Sequence, residues 1–551
     1  MTAIEQISGW TETQARRWVD PLAKKATAWA ERNKAVFAIL MLLQIAAYSY
    51  FYTSIIFTDH TLPQARIQPF PSNLTFLLGR WMSDLVIQAL GGSGVQSFQM
   101  LCATALQAVN GILLAEFIGL RRKREILCVA ALLCMYPAFL DYYSFMGDMF
   151  SLVVGDSFAI CGILVFGKNM ALQARVGGAA FFFLLAIACH QPKIALVSFL
   201  AACSVLVPLV GEPRGTIGSL SPSRKAIRDG IAVIVAIAIA MIFCWLSAKF
   251  FISSEKLATY SVDHVNTPAE ALQQIGVSHR RVFSRLTRYL PGLPGRLQFL
   301  PAIGVVGGVM VVLWQSWKKG MATLAVAIGV VSLMPIAMRA SHVVNFHSAE
   351  NLGRMFFVSG YCLAFFIGCG FLMKGMRALS AVVGIVCFYF FFIHATQESN
   401  YAAFKMIYET NMIGRIVAKA EEVLESPLQS KPKGLVVVGC YPRFQRNPYV
   451  RNPGIANYAR THVDLFSQEA RQVELMNFYS GRKGFRQPTQ DEASRAIEST
   501  QDKAPWPSGA SIYLLEDTLV VVLESKRPGT IAEVAPVPKS PEPLADPPPS
   551  P

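Results

Sequence analysis

The sequence predicts a polytopic α-helical membrane protein with about eleven transmembrane helices, an amphipathic helix on its outer face and a small C-terminal α/β domain. Three observations predict it. Of 551 residues, 53% are hydrophobic and only 15% charged, with a mean hydropathy of +0.40. Apolar stretches long enough to cross a bilayer recur from Ala35 to about His394. From Gln397 onward the chain turns polar, with acidic and basic residues in near balance, as in a soluble domain. The segments are therefore an amphipathic leader over 1–34, a transmembrane domain over 35–396, an outer α/β domain over 397–526 and a Pro-rich tail over 527–551 that is expected to be disordered.

The formal charge of +15 and the pI near 9.3 would suit a nucleic-acid partner, but the distribution of charge excludes one. The basic residues fall in short clusters between apolar spans, the pattern of the positive-inside rule. The leader carries Arg16, Arg17, Lys24, Lys25, Arg32 and Lys34, and the span behind it is too long for a signal-peptide core. Trp10, Trp18 and Trp29 fit either a helix lying on the inner membrane face or a solvated leader. The 11 cysteines lie almost entirely within apolar spans, only Cys440 in a polar region, and none forms a CxxC. Neither disulfides nor zinc is indicated.

The spans run near 35–57, 95–119, 126–140, 149–167, 174–190, 194–210, 229–252, 298–314, 320–338, 355–373 and 379–395. Basic clusters at the N-terminus, 121–124, 168–175, 214–228, 318–319 and 374–377 fall on one face, which is then cytoplasmic. The N-terminus is inside and the C-terminus outside. Residues 126–140 are short and end at Tyr136-Pro137, and 149–167 carries Gly155-Asp156, so these two are also readable as a re-entrant pair. The outer loop over 253–296 breaks the charge rule with Arg280, Arg281, Arg285, Arg288 and Arg296. An anionic lipid phosphate is a reason for an outward basic cluster.

Residues 73–90 read as the amphipathic helix, capped by Ser72 or Asn73 and stopped by Gly91-Gly92. Leu74, Leu77, Leu78, Trp81, Met82, Leu85 and Leu90 form its apolar stripe, with Arg80, Ser83, Asp84 and Gln88 off it. The segment is too short and polar to span, so it lies on the outer leaflet or packs against the bundle. In the C-terminal domain, 401–424 and 463–479 read as helices, 434–440 as a buried strand, and 511–515 with 519–523 as strands around a Glu516-Asp517 turn. No catalytic constellation is visible there, which leaves acceptor binding or a structural cap as its role.

The candidate functional residues collect on the outer face. When a sugar leaves a lipid phosphate, the leaving group is already a weakly basic anion and needs no general acid. One carboxylate must take the acceptor's proton, and cations must stabilise the departing phosphate. Asp59, just past the first span, with His60, Arg66 and Arg80 behind it, fits that economy. Asp148, in Met146-Gly147-Asp148-Met149, is the second carboxylate candidate, with Asp141 behind it; a helix-capping role is its alternative. Asp156 within a span is functional or pairs internally. His190, Gln191 and Lys193 form a tight outer turn that binds phosphate or sugar hydroxyls, or faces water. Arg339, His342, His347 and Arg354 complete the set, with snorkelling the simple account of Arg354. No HExxH, P-loop, GxSxG or GxGxxG supports another reaction, and no DxD or cofactor motif calls for a metal or cofactor.

The chain resembles the serotype-converting O-antigen glucosyltransferases, membrane enzymes with a GT-C fold. The residues that carry the likeness are Phe57-Thr58-Asp59-His60 followed by Arg66, Leu78-Gly79-Arg80-Trp81, His190-Gln191-Pro192, and the stretch from Tyr401 to Arg415 leading to the strand that ends at Cys440. The resemblance implies an undecaprenyl-phosphate sugar donor, usually glucose, transferred with inversion to a lipid-linked O-antigen or related envelope glycan on the periplasmic face of a bacterial inner membrane. A donor-lipid synthase and a flippase would be its partners. It maps the base onto Asp59 and donor-phosphate binding onto Arg66 and Arg80. His60 stands where a second acid is expected, which raises the weight of Asp148. The rival reading from another class is a lipid-linked glycan flippase; it would show internal repeats and polar residues at midspan, neither of which is clear in this sequence.

Overall fold

A computed structural model describes residues 3–49, 52, 80–90, 96–144, 149–168, 170–210, 221–251, 267–287, 293–344, 357–424, 433–439, 469–481, 484–500 and 502–523. The chain divides into two compact units, one holding the described residues up to Tyr408, the other those from Glu409 on.

The first unit is helical. Its elements are α1 (Ala3–Ala47), α2 (Trp81–Ala89), α3 (Gln96–Ile118), α4 (Lys123–Cys134), α5 (Leu140–Ser144), α6 (Met149–Phe166), α7 (Leu172–Cys189), α8 (Lys193–Val210), α9 (Pro222–Phe251), α10 (Pro268–Thr287), α11 (Leu300–Lys318), α12 (Met321–Met338), α13 (Ala340–Val344), α14 (Val358–Phe371) and α15 (Arg377–Val423), the last contributing to both units. Among the described residues eight helices are long and apolar enough to cross a membrane: α3, α6, α7, α8, α9, α11, α12 and the first part of α15. The expectation was about eleven. Of the three others, the first span is described only in part, at the end of α1, and α4 and α14 have 12 and 14 residues, short of a bilayer's thickness. The leader and the start of the first span form the single helix α1. The span at 379–395 likewise continues without a break into the helix expected at 401–424, as α15.

The core of this unit is one cluster of buried apolar side chains from α1, α3, α4, α6–α9, α11, α12, α14 and α15. Glycine allows a close backbone approach at Gly308 of α11, where an added Cβ would lie 2.1 Å from the Phe366 carbonyl oxygen of α14. Helix reversal places the α7–α8 turn, α2, α5, α10, α13, the start of α14 and residues 394–401 of α15 at one end of the bundle, here called the His190 end.

The second unit holds a four-stranded sheet in the order β2-β1-β4-β3, with β1 (Lys433–Val438), β2 (Phe485–Arg486), β3 (Ile512–Leu515) and β4 (Thr518–Val522). β1 runs parallel to β2 and β4, and β3–β4 is an antiparallel hairpin turning at Glu516 with φ 51. β1 and β4 are buried apolar runs, as a strand covered on both faces requires. Helices α16 (Glu469–Ser480) and α17 (Gln490–Glu498) belong to the same unit, and a capping box joins Thr489 and Glu492 at the start of α17. β2 and α17 were not read from the sequence.

Candidate functional site

Helix α2, the described part of the helix expected over 73–90, docks on the bundle through a face that mixes polar and apolar residues; 73–79 lie outside the described residues. Ser83 and Asp84 are buried with Val86 and Ile87, while Leu85 is 43% exposed. The Ser83 hydroxyl donates to Ser151 Oγ of α6 at 2.7 Å, and Trp81 Nε1 to Ser247 Oγ of α9 at 3.2 Å. The stripe drawn from periodicity placed Ser83 and Asp84 outward. The bundle offers polar partners that outweigh the apolar periodicity, and lipid tolerates Leu85 as well as the core does. The helix packs on the bundle, a placement compatible with the outer leaflet as well.

The same docking brings Arg80 to the α7–α8 turn. Arg80, half-buried just ahead of α2, donates from Nε to Gln191 Oε1 at 3.1 Å. His190 is 1% exposed with extended backbone, and its carbonyl accepts from Lys193 N at 2.8 Å, which closes the turn. Residues that lie 111 positions apart in the chain thus share one hydrogen bond.

Lys193 does not face water. Its side chain is fully buried at the start of α8, where Nζ forms an ion pair with Asp156 Oδ1 and donates to Tyr142 Oη. The ammonium also lies 4.1 Å from the centroid of the Phe357 ring and 4.6 Å from that of Tyr142. Gly155 makes room for the pair: a Cβ there would lie 3.1 Å from Cys189 Cβ and 3.4 Å from Lys193 Cε. Lys193 therefore neither faces water nor presents its ammonium to a phosphate or sugar, against both readings of it, and Asp156 pairs internally. A buried ammonium survives only beside a carboxylate or an aromatic face, and Lys193 has both. Its part in any site is to fix the turn that carries His190 and Gln191.

A second group surrounds α13, which packs on α8 and α10. Arg339, 3% exposed at the end of α12, donates to Gln274 Oε1 of α10 at 3.3 Å. His342 is buried beside it, its Nδ1 3.3 Å from Ser341 Oγ. Arg280 and Arg281 lie exposed on α10. His279 of the same helix holds the Ser332 carbonyl at 2.8 Å.

Of the candidate residues, the structure joins Arg80 to Gln191, sets His190 and Lys193 in the same turn, and gathers Arg339 with His342 at the same end. Asp59, His60, Arg66, Asp148, His347 and Arg354 lie outside the described residues. Gln274, Ser151 and Tyr142 were missed. No periodicity marks Gln274 or Ser151, and the Tyr142-Tyr143 pair beside the Asp141 candidate was the one available signal. Among the described residues no group of His, Cys, Asp and Glu is placed to hold a metal, and the ten described cysteines are free thiols.

The family model described as Glucosyl transferase GtrII matches residues 66–373, more than half of the chain. No curated protein matches. Among solved structures, the oligosaccharyltransferase of Archaeoglobus fulgidus, tethered with an acceptor peptide, is similar at 13% identity and a TM-score of 0.33. The likeness covers 75% of this chain and 62% of that one, so the chain spans under two thirds of its length. A likeness of that strength assigns neither fold nor activity.

Proposed function

This chain belongs to the GtrII glucosyl transferase family, and on that premise we propose that it moves a sugar, glucose by preference, from undecaprenyl phosphate to a lipid-linked O-antigen or related envelope glycan. In this reading the protein is a GT-C-type enzyme of a bacterial inner membrane, and the His190 end is its periplasmic face. The observation that carries the reading is the Arg80–Gln191 hydrogen bond, which fixes a guanidinium at the turn holding His190. The amide orients the guanidinium, and a planar cation held in one geometry suits a phosphate oxygen. Asp59, a few residues beyond the first span, takes the proton of the acceptor hydroxyl; Asp148 is the alternative base. Arg66 shares the leaving phosphate with Arg80. Arg339, Arg280, Arg281 and Arg354 serve the lipid phosphate or anionic headgroups, and no metal or cofactor is assigned a step.

The test uses the full chain in nanodiscs with radiolabelled undecaprenyl-phosphoglucose and a lipid-linked O-antigen acceptor. Wild type is expected to turn over, and Asp59→Asn to lose about 10²–10⁴-fold in kcat, the usual contribution of a general base. Turnover that survives this change moves the base to Asp148, and Asp148→Asn then shows the loss. Arg80→Ala is expected to weaken donor use about 10–100-fold, the loss of one charge-assisted hydrogen bond, with little change in unfolding temperature. If no polyprenyl-phosphate sugar is consumed by wild type, the transporter reading replaces this one.

A further inference from the structure

Helix α15 turns a buried stripe toward the bundle: Ser380, Val383, Cys387, Phe391 and Ala395. Phe391 meets the Tyr136 ring beyond α4 edge-on, with centroids 5.6 Å apart. One and two turns further toward the His190 end the stripe changes character without leaving the interior. Its next members are His394, Glu398 and Ser399, at 1%, 4% and 1% exposure. Both ring nitrogens of His394 and the Ser399 hydroxyl are buried with no hydrogen-bond partner among the described residues. Among the described residues Glu398 makes no ion pair or hydrogen bond either, and none of the three has a further contact of that kind.

This arrangement is costly for a structural helix. The buried carboxyl group, both ring nitrogens and the hydroxyl have each given up water without a protein partner in return. Leucine would serve packing better at each position. The i, i+4 spacing sets the His394 and Glu398 Cβ atoms roughly 5–6 Å apart on one face. Together they offer an acceptor carboxylate, a ring with one donor and one acceptor nitrogen, and a hydroxyl able to do either. A phosphodiester offers only acceptor oxygens and leaves the acceptor atoms of the set unmet. Neighbouring hydroxyls of a sugar ring, each a donor and an acceptor, satisfy the whole set.

We propose that Glu398, with His394 and Ser399, forms a binding site for the hydroxyls of a hexose unit, carried either by the donor lipid or by the acceptor glycan. The proposal rests on the glucosyltransferase reading and adds a site beyond the matched stretch 66–373. These are binding residues; the proton transfer stays with Asp59 or Asp148.

The test compares wild type, Glu398→Gln and Glu398→Leu as full chains in nanodiscs free of sugar detergents. The unfolding temperature of Glu398→Leu is expected to equal or exceed that of wild type. Its KM for one substrate should rise at least about tenfold, the equivalent of one lost hydrogen bond to a charged group, with kcat little changed. Which KM moves identifies the source, donor sugar or acceptor glycan. Saturation-transfer NMR with methyl β-D-glucopyranoside gives a readout independent of turnover: signal in wild type, lost in Glu398→Leu. Both KM values unchanged together with retained NMR signal would overturn the site. So would a fall in unfolding temperature shared by Glu398→Gln and Glu398→Leu, because Glu398 would then be a structural group. If wild type consumes no donor yet binds the glucoside through Glu398, the glucosyltransferase reading fails while the sugar site stands.

Discussion

At the end of the bundle away from His190, carboxylates lash neighbouring helices together through arginines. Glu116 of α3 accepts from Trp29 Nε1 at 2.8 Å, Asn33 at 3.0 Å and Arg32, all on α1. Glu125 of α4 faces Arg377 of α15 at 3.7 Å, and Asp229 of α9 faces Arg175 of α7 at 3.5 Å. At the His190 end Arg80 and Arg339 are hydrogen-bonded to the amides of Gln191 and Gln274, and the Lys193–Asp156 ion pair lies beneath the turn, sealed in the core. The same residue type thus has two uses. Opposite a carboxylate, arginine is spent on cohesion between helices. Hydrogen-bonded to an amide, its plane is held in one orientation, and an oriented fork of donors suits the oxygens of an anion.

The sharpest way to break this comparison is at Lys193. Lys193→Met removes the cation that pairs with Asp156 in the core and is expected to cost about 3–5 kcal/mol. The double change Lys193→Met with Asp156→Leu is expected to recover most of that loss, because a matched apolar pair replaces a matched ionic one. Thermal unfolding of the four proteins in nanodiscs supplies the cycle. If the single change is as stable as wild type, the pair does not hold the α7–α8 turn, and the positioning role given to Lys193 falls with it.

The cohesive end gives a smaller effect and no loss of chemistry. Asp229→Asn removes the charge that Arg175 and Arg228 share, while Arg175 keeps its 2.6 Å hydrogen bond from Nε to the Phe166 carbonyl. About 1–2 kcal/mol of stability is expected to go, between the range for exposed pairs and that for buried ones. Turnover at saturating substrate should stay within about twofold of wild type, the stability lost being a minor share of a domain's total. A loss of turnover as large as that of Arg80→Ala would dissolve the distinction between the two ends.

Legibility in the sequence followed the physics of each feature. Long apolar runs are local, and the helices at 96–118, 149–166, 172–189 and 321–338 lie within a few residues of their expected places. The hairpin around Glu516-Asp517 is local too, and β3 and β4 flank it as expected. The pairing of Asp156 with Lys193 was readable only as one of two alternatives, because a midspan carboxylate announces that it needs a partner without saying which. The burial of Ser83 and Asp84 was unreadable: periodicity assumes that apolar faces turn inward, and membrane bundles relax that rule. His394 and Glu398 escaped notice for the opposite reason. They close an apolar run at the end of a span, where polar residues ordinarily mark only the return to water.

The smallest effect belongs to the second unit, where an arginine–carboxylate pair stands in water and shows what such a pair is worth without a membrane. Arg486 holds Glu492 with two hydrogen bonds, 2.8 Å from Nη1 to Oε2 and 2.6 Å from Nη2 to Oε1. The Thr489 backbone N–H donates to the same carboxylate at 2.7 Å, completing the cap of α17. The Arg486 guanidinium and, after the cost of burial, the Thr489 cap hold the Glu492 carboxyl down at about 2, well below the ordinary glutamate value. Because the folded value is the lower one, the stabilisation is complete above the unfolded value near 4.5 and is lost as the pH falls toward 2. Solvent screening keeps the total near or below about 1 kcal/mol. Glu492→Gln is therefore expected to lower the unfolding temperature of this unit slightly at pH 7, with the gap to wild type closing between pH 4.5 and 2. A gap that stays constant across that window would assign the loss to the cap geometry of α17, and the exposed pair would then set no scale for the cohesive end of the bundle.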